Sequence, residues 1–322
     1  MPTELFTTII VFAAALFFLI KSSDYFVRYS EKIGLSLGVP QFIVGVTIIS
    51  AGTSLPELVT SIFSITKGEA GFVAGNVIGS NIANILLVVG ITTIIAKKVE
   101  VSRSIIRLDL PLLVGSGAIL VLTMQDGVFN FPEAVLSIIG FIIYVLYNIS
   151  QHKEGLAEKE KKLLKIMDGG KKPKFKWYYL GMIALASAAL YVSANFTIDS
   201  VISIAGFLKL DTAIVAITAV AVGTSLPELL VSITAAKKGN FEMALGNVLG
   251  SNIFNGFMVM GVSGLISDLP VPDSVLHIGI PFFIISTVFL VFSGIEKKFY
   301  NFEGALYLIL YILFIGQLFN FI

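Results

Sequence analysis

Cysteine is absent from the 322 residues, and histidine occurs only twice, as His152 and His277. The first absence excludes disulfides, zinc–thiolate centres, iron–sulfur clusters and thiol nucleophiles; the second leaves too few ligands for a histidine-based metal centre. His152 lies in the most polar loop and reads as solvated, and His277 opens an apolar run and reads as an interfacial residue. Charge is scarce as well. Asp, Glu, Lys and Arg make up 13% of the chain, against roughly a quarter in a soluble domain. The net charge of +1 gives no case for a nucleic-acid partner. There is no GxxxxGK[ST] phosphate loop, Rossmann fingerprint, G-x-S-x-G elbow or HExxH pair. ATP-driven pumping by this chain is thereby disfavoured, and an enzyme would lack a nucleophile–base pair.

What the chain does have is apolar residues, 56% of the total. Runs long enough to cross a bilayer recur at roughly 5–22, 39–66, 70–95, 105–124, 132–149, 177–196, 212–236, 242–266, 275–293 and 302–320. The first run lacks a basic leader and is followed by more spans, so it reads as a membrane helix, continuing helically to about Lys32, and not as a signal peptide. These spans predict an all-α integral membrane protein with ten transmembrane helices. The only long polar stretch, residues 151–176, reads as a solvated cytoplasmic linker, with contact to anionic lipid the weaker reading. It divides the chain into 1–150 and 177–322, five spans each. With the N-terminus outside, twenty of the 22 Lys and Arg residues fall on the inner side, and only Lys67 and Lys209 on the outer.

Residues 52–90 (GTSLPELVTSIFSITKGEAGFVAGNVIGSNIANILLVVG) align without a gap to 223–261 (GTSLPELLVSITAAKKGNFEMALGNVLGSNIFNGFMVMG) at an offset of 171, with 21 identities in 39 positions. The chain is an internal duplication. Because each half holds an odd number of spans, the second copy enters the membrane from the opposite side. The copies are then inverted repeats, an arrangement that places a transported substrate at the repeat interface near the midplane.

Glu57 and Glu228 are the equivalent acids of the two copies, each inside an otherwise apolar span. A carboxylate at that depth must face the bundle interior and have a partner. No Lys or Arg lies nearby in sequence at membrane depth, so a bound cation or a proton is the natural one. Each Glu follows a proline, Pro56 or Pro227, which lacks an N–H and clashes with the carbonyl four residues earlier, at Gly52 or Gly223. A broken or kinked helix with freed carbonyls is expected there. Thr53 and Thr224, four residues before the acids, share their helix face, and Ser54 and Ser225 adjoin them. From the second helix of each copy, Ser80 with Asn84 and Ser251 with Asn255 supply further oxygens. An all-oxygen set suits hard cations such as Ca²⁺ and Na⁺. The glycine pairs Gly75/Gly79 and Gly246/Gly250 read as close helix packing. Asn76, Asn81, Asn247 and Asn252 read as interhelical hydrogen-bonding residues.

The paired GTSLPE…GNVxGSN segments resemble the α-repeats of the sodium/calcium exchanger branch of the calcium/cation antiporter superfamily, and the resemblance covers the whole chain. It implies a central divalent-cation site from Glu57, Glu228, Thr53 and Thr224. It further implies flanking sodium sites from Ser54, Ser80, Ser225 and Ser251 with carbonyls at Ser50 and Ala221, and a ring completed by Asn84 and Asn255. Asn at position 255, where potassium-dependent members carry Asp, implies a potassium-independent exchanger. Two carboxylates neutralise one Ca²⁺, so the three-for-one exchange implied by the resemblance would be electrogenic. The expected mechanism is alternating access with Na⁺ and Ca²⁺ competing at overlapping sites, spans one and six rearranging because they are poorest in polar residues at depth. A Ca²⁺/H⁺ exchanger on the same scaffold is the nearest alternative, and a non-transporting membrane Ca²⁺ sensor a remote one. Neither a resident cofactor nor a nucleic-acid partner is expected. The partners are the two ions and the bilayer, the working unit a monomer, and the setting a prokaryotic plasma membrane.

Overall fold

The computed structural model describes residues 2–37, 41–96, 98–100, 110–154, 175–207, 225–296 and 298–319. Ten helices run through them: α1 Pro2–Leu37, α2 at 41–66, α3 Gly71–Ala96, α4 Leu110–Leu122, α5 Phe131–Glu154, α6 Tyr178–Phe207, α7 Leu226–Lys237, α8 Phe241–Ile266, α9 Val275–Ile295 and α10 Asn301–Leu318. Eight of them are long and apolar enough to cross a membrane. The expected spans 105–124 and 212–236 are described only in part, as α4 and α7, because 105–109 and 212–224 lie outside the described residues. Three boundaries differ from expectation. Helix α1 continues to Leu37, α5 runs to Glu154 inside the stretch expected to be linker, and α6 extends to Phe207.

Burial follows the logic of a bilayer solvent. Large apolar side chains face outward, among them Phe63, Leu122, Leu146, Leu185, Phe292 and Ile312. The interior holds many serine, threonine and asparagine side chains and the two glutamates Glu57 and Glu228.

The duplication is visible in local geometry. Helices α2 and α7 both end on a left-handed glycine, Gly68 with φ +83° and Gly239 with φ +80°. In the first, Gly68 N–H bonds Ile65 O (3.0 Å) and Glu69 N–H bonds Ser64 O (2.9 Å); in the second, Gly239 bonds Ala236 O (3.0 Å) and Asn240 bonds Ala235 O (2.9 Å). Both are Schellman caps, which need a residue free to adopt positive φ.

Four short strands, which the sequence pattern did not suggest, tie the repeats together. Strand β1 (Lys98–Glu100) pairs antiparallel with β4 (Lys298–Tyr300), placing Val99 opposite Phe299. Strand β2 (Val128–Phe129) pairs with β3 (Leu269–Pro270), placing Phe129 opposite Leu269. An offset of 170 carries Val99 to Leu269 and Phe129 to Phe299, so one pairing is the image of the other. Each sheet takes one strand from each repeat. Phe129 and Phe299 are both fully buried and anchor the two clamps.

The core falls into two clusters. One joins α2–α5 to α7–α10. The other packs α1 and α6 on each other, with Phe26, Ile33, Tyr179 and Leu190, and reaches α2, α7 and α8 through Ile49, Val231 and Met243. Edge-on contact of Tyr29 with Tyr178, tilted contact of Tyr29 with Tyr179, and Lys32 5.7 Å from the Tyr179 ring centroid fasten α1 to α6 at one end. The expectation that α1 and α6 are poor in polar groups needs correction. Ser22, Ser23, Ser30, Ser193, Thr197 and Ser200 are all buried on them. Thr197 and Ser200 donate to carbonyls of their own helix, at 2.8 and 2.7 Å, which leaves them undemanding neighbours. Ser23 instead reaches across to α7, within 3.0 Å of Leu230 O and 2.7 Å of Thr234 Oγ1.

Candidate cation site

Helix α2 does not break at Pro56. The stretch Ser50–Thr66 is continuous, and the irregularity lies about two turns upstream of the proline, where Gly45–Ile49 forms a π-helical turn. That turn ends before Gly52, whose carbonyl loses the Pro56 N–H as donor, so it is a separate irregularity of the helix. In the second copy Pro227 stands in the first turn of α7, where its missing N–H costs nothing. Thr224 and Ala221 lie outside the described residues. Two more π turns begin at the asparagines expected to be ligands, Asn84–Val89 in α3 and Asn255–Val259 in α8. They are equivalent at the offset of 171. A π turn leaves a backbone carbonyl short of its usual donor, and such turns are common at functional sites.

Glu57, Thr53, Ser54, Ser50, Ser80, Asn84, Glu228, Ser225, Ser251 and Asn255 are all 2% exposed or less. The repeats meet through them. Ser54 Oγ donates to Glu228 Oε1 at 3.1 Å, from α2 to α7. Thr53 Oγ1 lies 3.2 Å from Asn247 Oδ1, and the Asn247 amide in turn donates to Ser232 Oγ (2.9 Å) and Glu228 O (3.4 Å). Asn76 bonds Ser61 Oγ at 3.4 Å in the equivalent place of the first copy. Ser61 and Ser232 were not singled out in the sequence. The signal was there, since each stands four residues after its glutamate, on the same face.

Asn81 and Asn252 form the centre of the repeat interface. Asn81 Nδ2 donates to Asn252 O at 3.3 Å, and Asn252 Nδ2 returns the bond to Asn81 O at 3.2 Å. Their side-chain oxygens accept from the two candidate ligands, Asn84 Nδ2 onto Asn252 Oδ1 and Asn255 Nδ2 onto Asn81 Oδ1, both at 3.1 Å. With each amide nitrogen so committed, the oxygens of Asn84 and Asn255 are free for another use. This matches the interhelical role expected for these asparagines.

Twelve buried side-chain oxygens among the described residues lack a hydrogen-bond partner. Both carboxylate oxygens of Glu57 are among them, with Glu228 Oε2, Asn84 Oδ1, Asn255 Oδ1, Ser225 Oγ and Ser251 Oγ. These seven belong to residues expected at the site; the other five, on Ser30, Thr93, Asn148, Ser263 and Tyr311, do not. Two buried carboxylates with one donor between them among the described residues, Ser54 on Glu228, carry a large desolvation penalty, and a cation relieves it. The set contains no nitrogen or sulfur ligand and, among the described residues, no group of three acids or histidines that would build a resident metal centre. Hard cations held by two carboxylates and neutral oxygens fit this chemistry. Ser50 and Thr53 donate to backbone of their own helix, Ser50 Oγ to Val46 O at 2.8 Å and Thr53 Oγ1 to Ile49 O at 3.2 Å, which leaves their lone pairs available. Phe26 of α1 packs on α2 at Gly52, where an added methyl would come within 2.9 Å of its ring.

The glycine pairs divide. A methyl at Gly250 would strike Val46 O and come within 2.7 Å of Ser50 Cβ, so the backbones of α8 and α2 touch there. Nothing lies within 4 Å of a methyl at Gly79, and at Gly75 only Val275, at 3.8 Å. Close packing, expected of both pairs, holds at Gly250 and fails in the first copy.

Comparison with known proteins agrees with this geometry. The sequence profile of the family described as sodium/calcium exchanger protein matches residues 7–150 and 178–319. The sodium/calcium exchanger MaX1 of Methanosarcina acetivorans is 31% identical over 350 residues, covering 96% of this chain and 98% of that one. The uncharacterized membrane protein MJ0091 of Methanocaldococcus jannaschii is 33% identical, covering 95% and 96%. A solved structure of the sodium-calcium exchanger NCX_Mj, soaked with zero Na⁺ and Ca²⁺, superposes with a TM-score of 0.81 at 30% identity, covering 98% and 99%.

Proposed function

The chain belongs to the sodium/calcium exchanger family, and from that premise we propose that it is a membrane antiporter exchanging Na⁺ for Ca²⁺ at one shared site around Glu57 and Glu228. One observation carries the reading: of the twelve unpartnered buried side-chain oxygens among the described residues, seven fall on both glutamates and on Asn84, Asn255, Ser225 and Ser251 beside them. Ca²⁺ is held by the two carboxylates, and Na⁺ ions occupy overlapping positions on the same oxygens, helped by Ser54, Ser80, Ser225, Ser251 and the carbonyls of Ser50 and Ala221, with Thr53 and Thr224 in the central shell. An empty charged site is costly in a dry core, so exchange is coupled because the protein changes state only when loaded. Three Na⁺ against one Ca²⁺ makes the exchange electrogenic.

Potassium independence is supported by position 255. The Asn255 amide donates to Asn81 Oδ1, a bond that an ionised Asp could not make. The two repeats take residues 1–150 and 177–322, joined by a cytoplasmic linker, with the N-terminus outside as the Lys and Arg distribution indicates. The protein works as a monomer in a prokaryotic plasma membrane, with no resident cofactor.

The test is Ca²⁺ flux in proteoliposomes against imposed Na⁺, K⁺ and H⁺ gradients in turn. A Na⁺ gradient is expected to drive Ca²⁺ uptake without K⁺, with a membrane potential developing. Uptake driven by a pH gradient without Na⁺ would move the assignment to Ca²⁺/H⁺ exchange, and no flux with retained Ca²⁺ binding would move it to a sensor.

A further inference from the structure

Away from the cation site, a pocket of about 280 Å³ is lined by Lys21, Asp24, Tyr25 and Arg28 of α1 and by Lys238 of the turn between α7 and α8. Residues 21, 24, 25 and 28 are spaced to form one stripe on a helix. Lys238 Nζ lies 3.6 Å from Asp24 Oδ1 and 3.4 Å from Asp24 O. Neither Lys21 nor Arg28 has a carboxylate partner among the described residues; Lys21 lies 5.8 Å from the Phe17 ring centroid. Within the pocket lining three cations meet one acid, Asp24; Glu31, one turn further along α1, also faces Lys238, which leaves Lys21 and Arg28 as the surplus that favours an anion. Cations gathered on one side of a membrane are ordinary, and lysines at the end of α7 complement its dipole. These three, however, converge on one cavity from two segments far apart in the chain.

The surroundings select the anion. One turn along α1 from the pocket, Phe17, Phe18 and Ile20 are about half exposed, and Tyr25 at the pocket itself is 47% exposed. Acyl-facing residues, then an aromatic, then basic residues is the order of a lipid interface. The geometry points to a binding site for the phosphate headgroup of an anionic phospholipid, bridging Lys21 and Arg28 of α1 to Lys238 of the second repeat. The site straddles a polar seam. Ser23 bonds Leu230 O and Thr234, Asp24 pairs with Lys238, and Asn240 donates to Glu31. A headgroup there fastens α1 to the α7–α8 turn, and its occupancy sets the ease with which α1 moves. The effect on exchange rests on the proposed function; the binding itself does not.

The experiment uses the full chain in nanodiscs of phosphatidylcholine with and without phosphatidylglycerol, and reads retained lipid by native mass spectrometry and thermal stability. Wild type is expected to retain phosphatidylglycerol and gain stability from it. The double variant Lys21→Gln/Arg28→Gln is expected to lose roughly thirtyfold in retention, two basic side chains being removed, while Lys67→Gln retains it. A charge-conserving double variant, Lys21→Arg/Arg28→Lys, should behave as wild type, and circular dichroism confirms that each variant is folded. Inorganic phosphate added to phosphatidylcholine discs separates the sources: stabilisation by phosphate alone, matching that by phosphatidylglycerol, would overturn the lipid assignment. Equal lipid retention by wild type and the double glutamine variant would overturn the site.

Discussion

Ser54 donates its hydroxyl proton to Glu228 Oε1 across 3.1 Å, from the first repeat to the second. The duplication would place the mirror contact between Ser225 and Glu57, yet Ser225 Oγ and both Glu57 oxygens are without partners. Among the described residues the pseudo-symmetric site is therefore unequal, and there Glu57 is the carboxylate that depends more on a bound cation. Removing the Ser54 donor should cost more stability than removing Ser225 when no cation is present. A hydrogen bond to a charged group is worth about 1.5–3 kcal/mol, so Ser54→Ala should lower the thermal midpoint in cation-free buffer while Ser225→Ala barely moves it. With saturating Ca²⁺ or Na⁺ both variants should show weakened ion-dependent stabilisation. Equal effects of the two in cation-free buffer would contradict the inequality.

Glu57→Gln and Glu228→Gln should each abolish Na⁺-driven Ca²⁺ uptake without unfolding the protein. Each replaces an uncompensated buried charge with a neutral isostere, which relieves desolvation cost. Cation-free stability should hold or rise. What disappears is the stabilisation by Ca²⁺, about 2.7 kcal/mol at a hundred times the dissociation constant. Near-normal uptake in either variant would remove that glutamate from the site.

Most of this was legible in the sequence because a duplicated motif repeats its chemistry at one offset, and an acid in an apolar span has few ways to be satisfied. Glu57, Glu228, Ser54 and Asn84 could be named from that alone. The consequence of Pro56 could not. Proline removes a hydrogen bond, but whether the helix breaks depends on its packing: α2 runs continuously through Pro56, held against α8 further upstream at Gly45, where an added methyl would come within 3.1 Å of Asn247 N. The strands β1–β4 escaped because two or three residues carry no period. The inequality of Gly79 and Gly250 escaped because identical motifs face different neighbours.

Asn81 and Asn252 should control ion affinity without touching an ion. Each offers its side-chain oxygen to the amide of a candidate ligand and thereby aims that ligand's own oxygen at the site. Asn252→Leu leaves the Asn84 amide without its acceptor, and Asn81→Leu does the same to Asn255. Each should raise the Na⁺ concentration needed for half-maximal exchange by roughly tenfold, the lower part of the 1–3 kcal/mol cost of an orphaned buried donor. Because the two side chains bond each other's backbone, the double variant should depart from additivity. Additive effects on Na⁺ dependence would show that the two positions act separately.

Gly79 and Gly250 occupy the same position of the motif and should respond oppositely to alanine. At Gly79 the added methyl meets nothing within 4 Å, and the gain in helix propensity is up to about 1 kcal/mol. Gly79→Ala should be neutral or slightly stabilising, with exchange retained. At Gly250 the methyl collides with the Val46 carbonyl and the Ser50 side chain, on the π turn and the residue that opens the site. Overpacking of this kind costs typically 1–3 kcal/mol, and relief requires α2 to move away from α8. With the Ser50 carbonyl as a proposed ligand, such a movement should displace it, so Gly250→Ala should lower both the thermal midpoint and the apparent Na⁺ affinity. A loss of stability with unchanged Na⁺ dependence would separate the α2–α8 contact from ion binding and take Ser50 out of the ligand set.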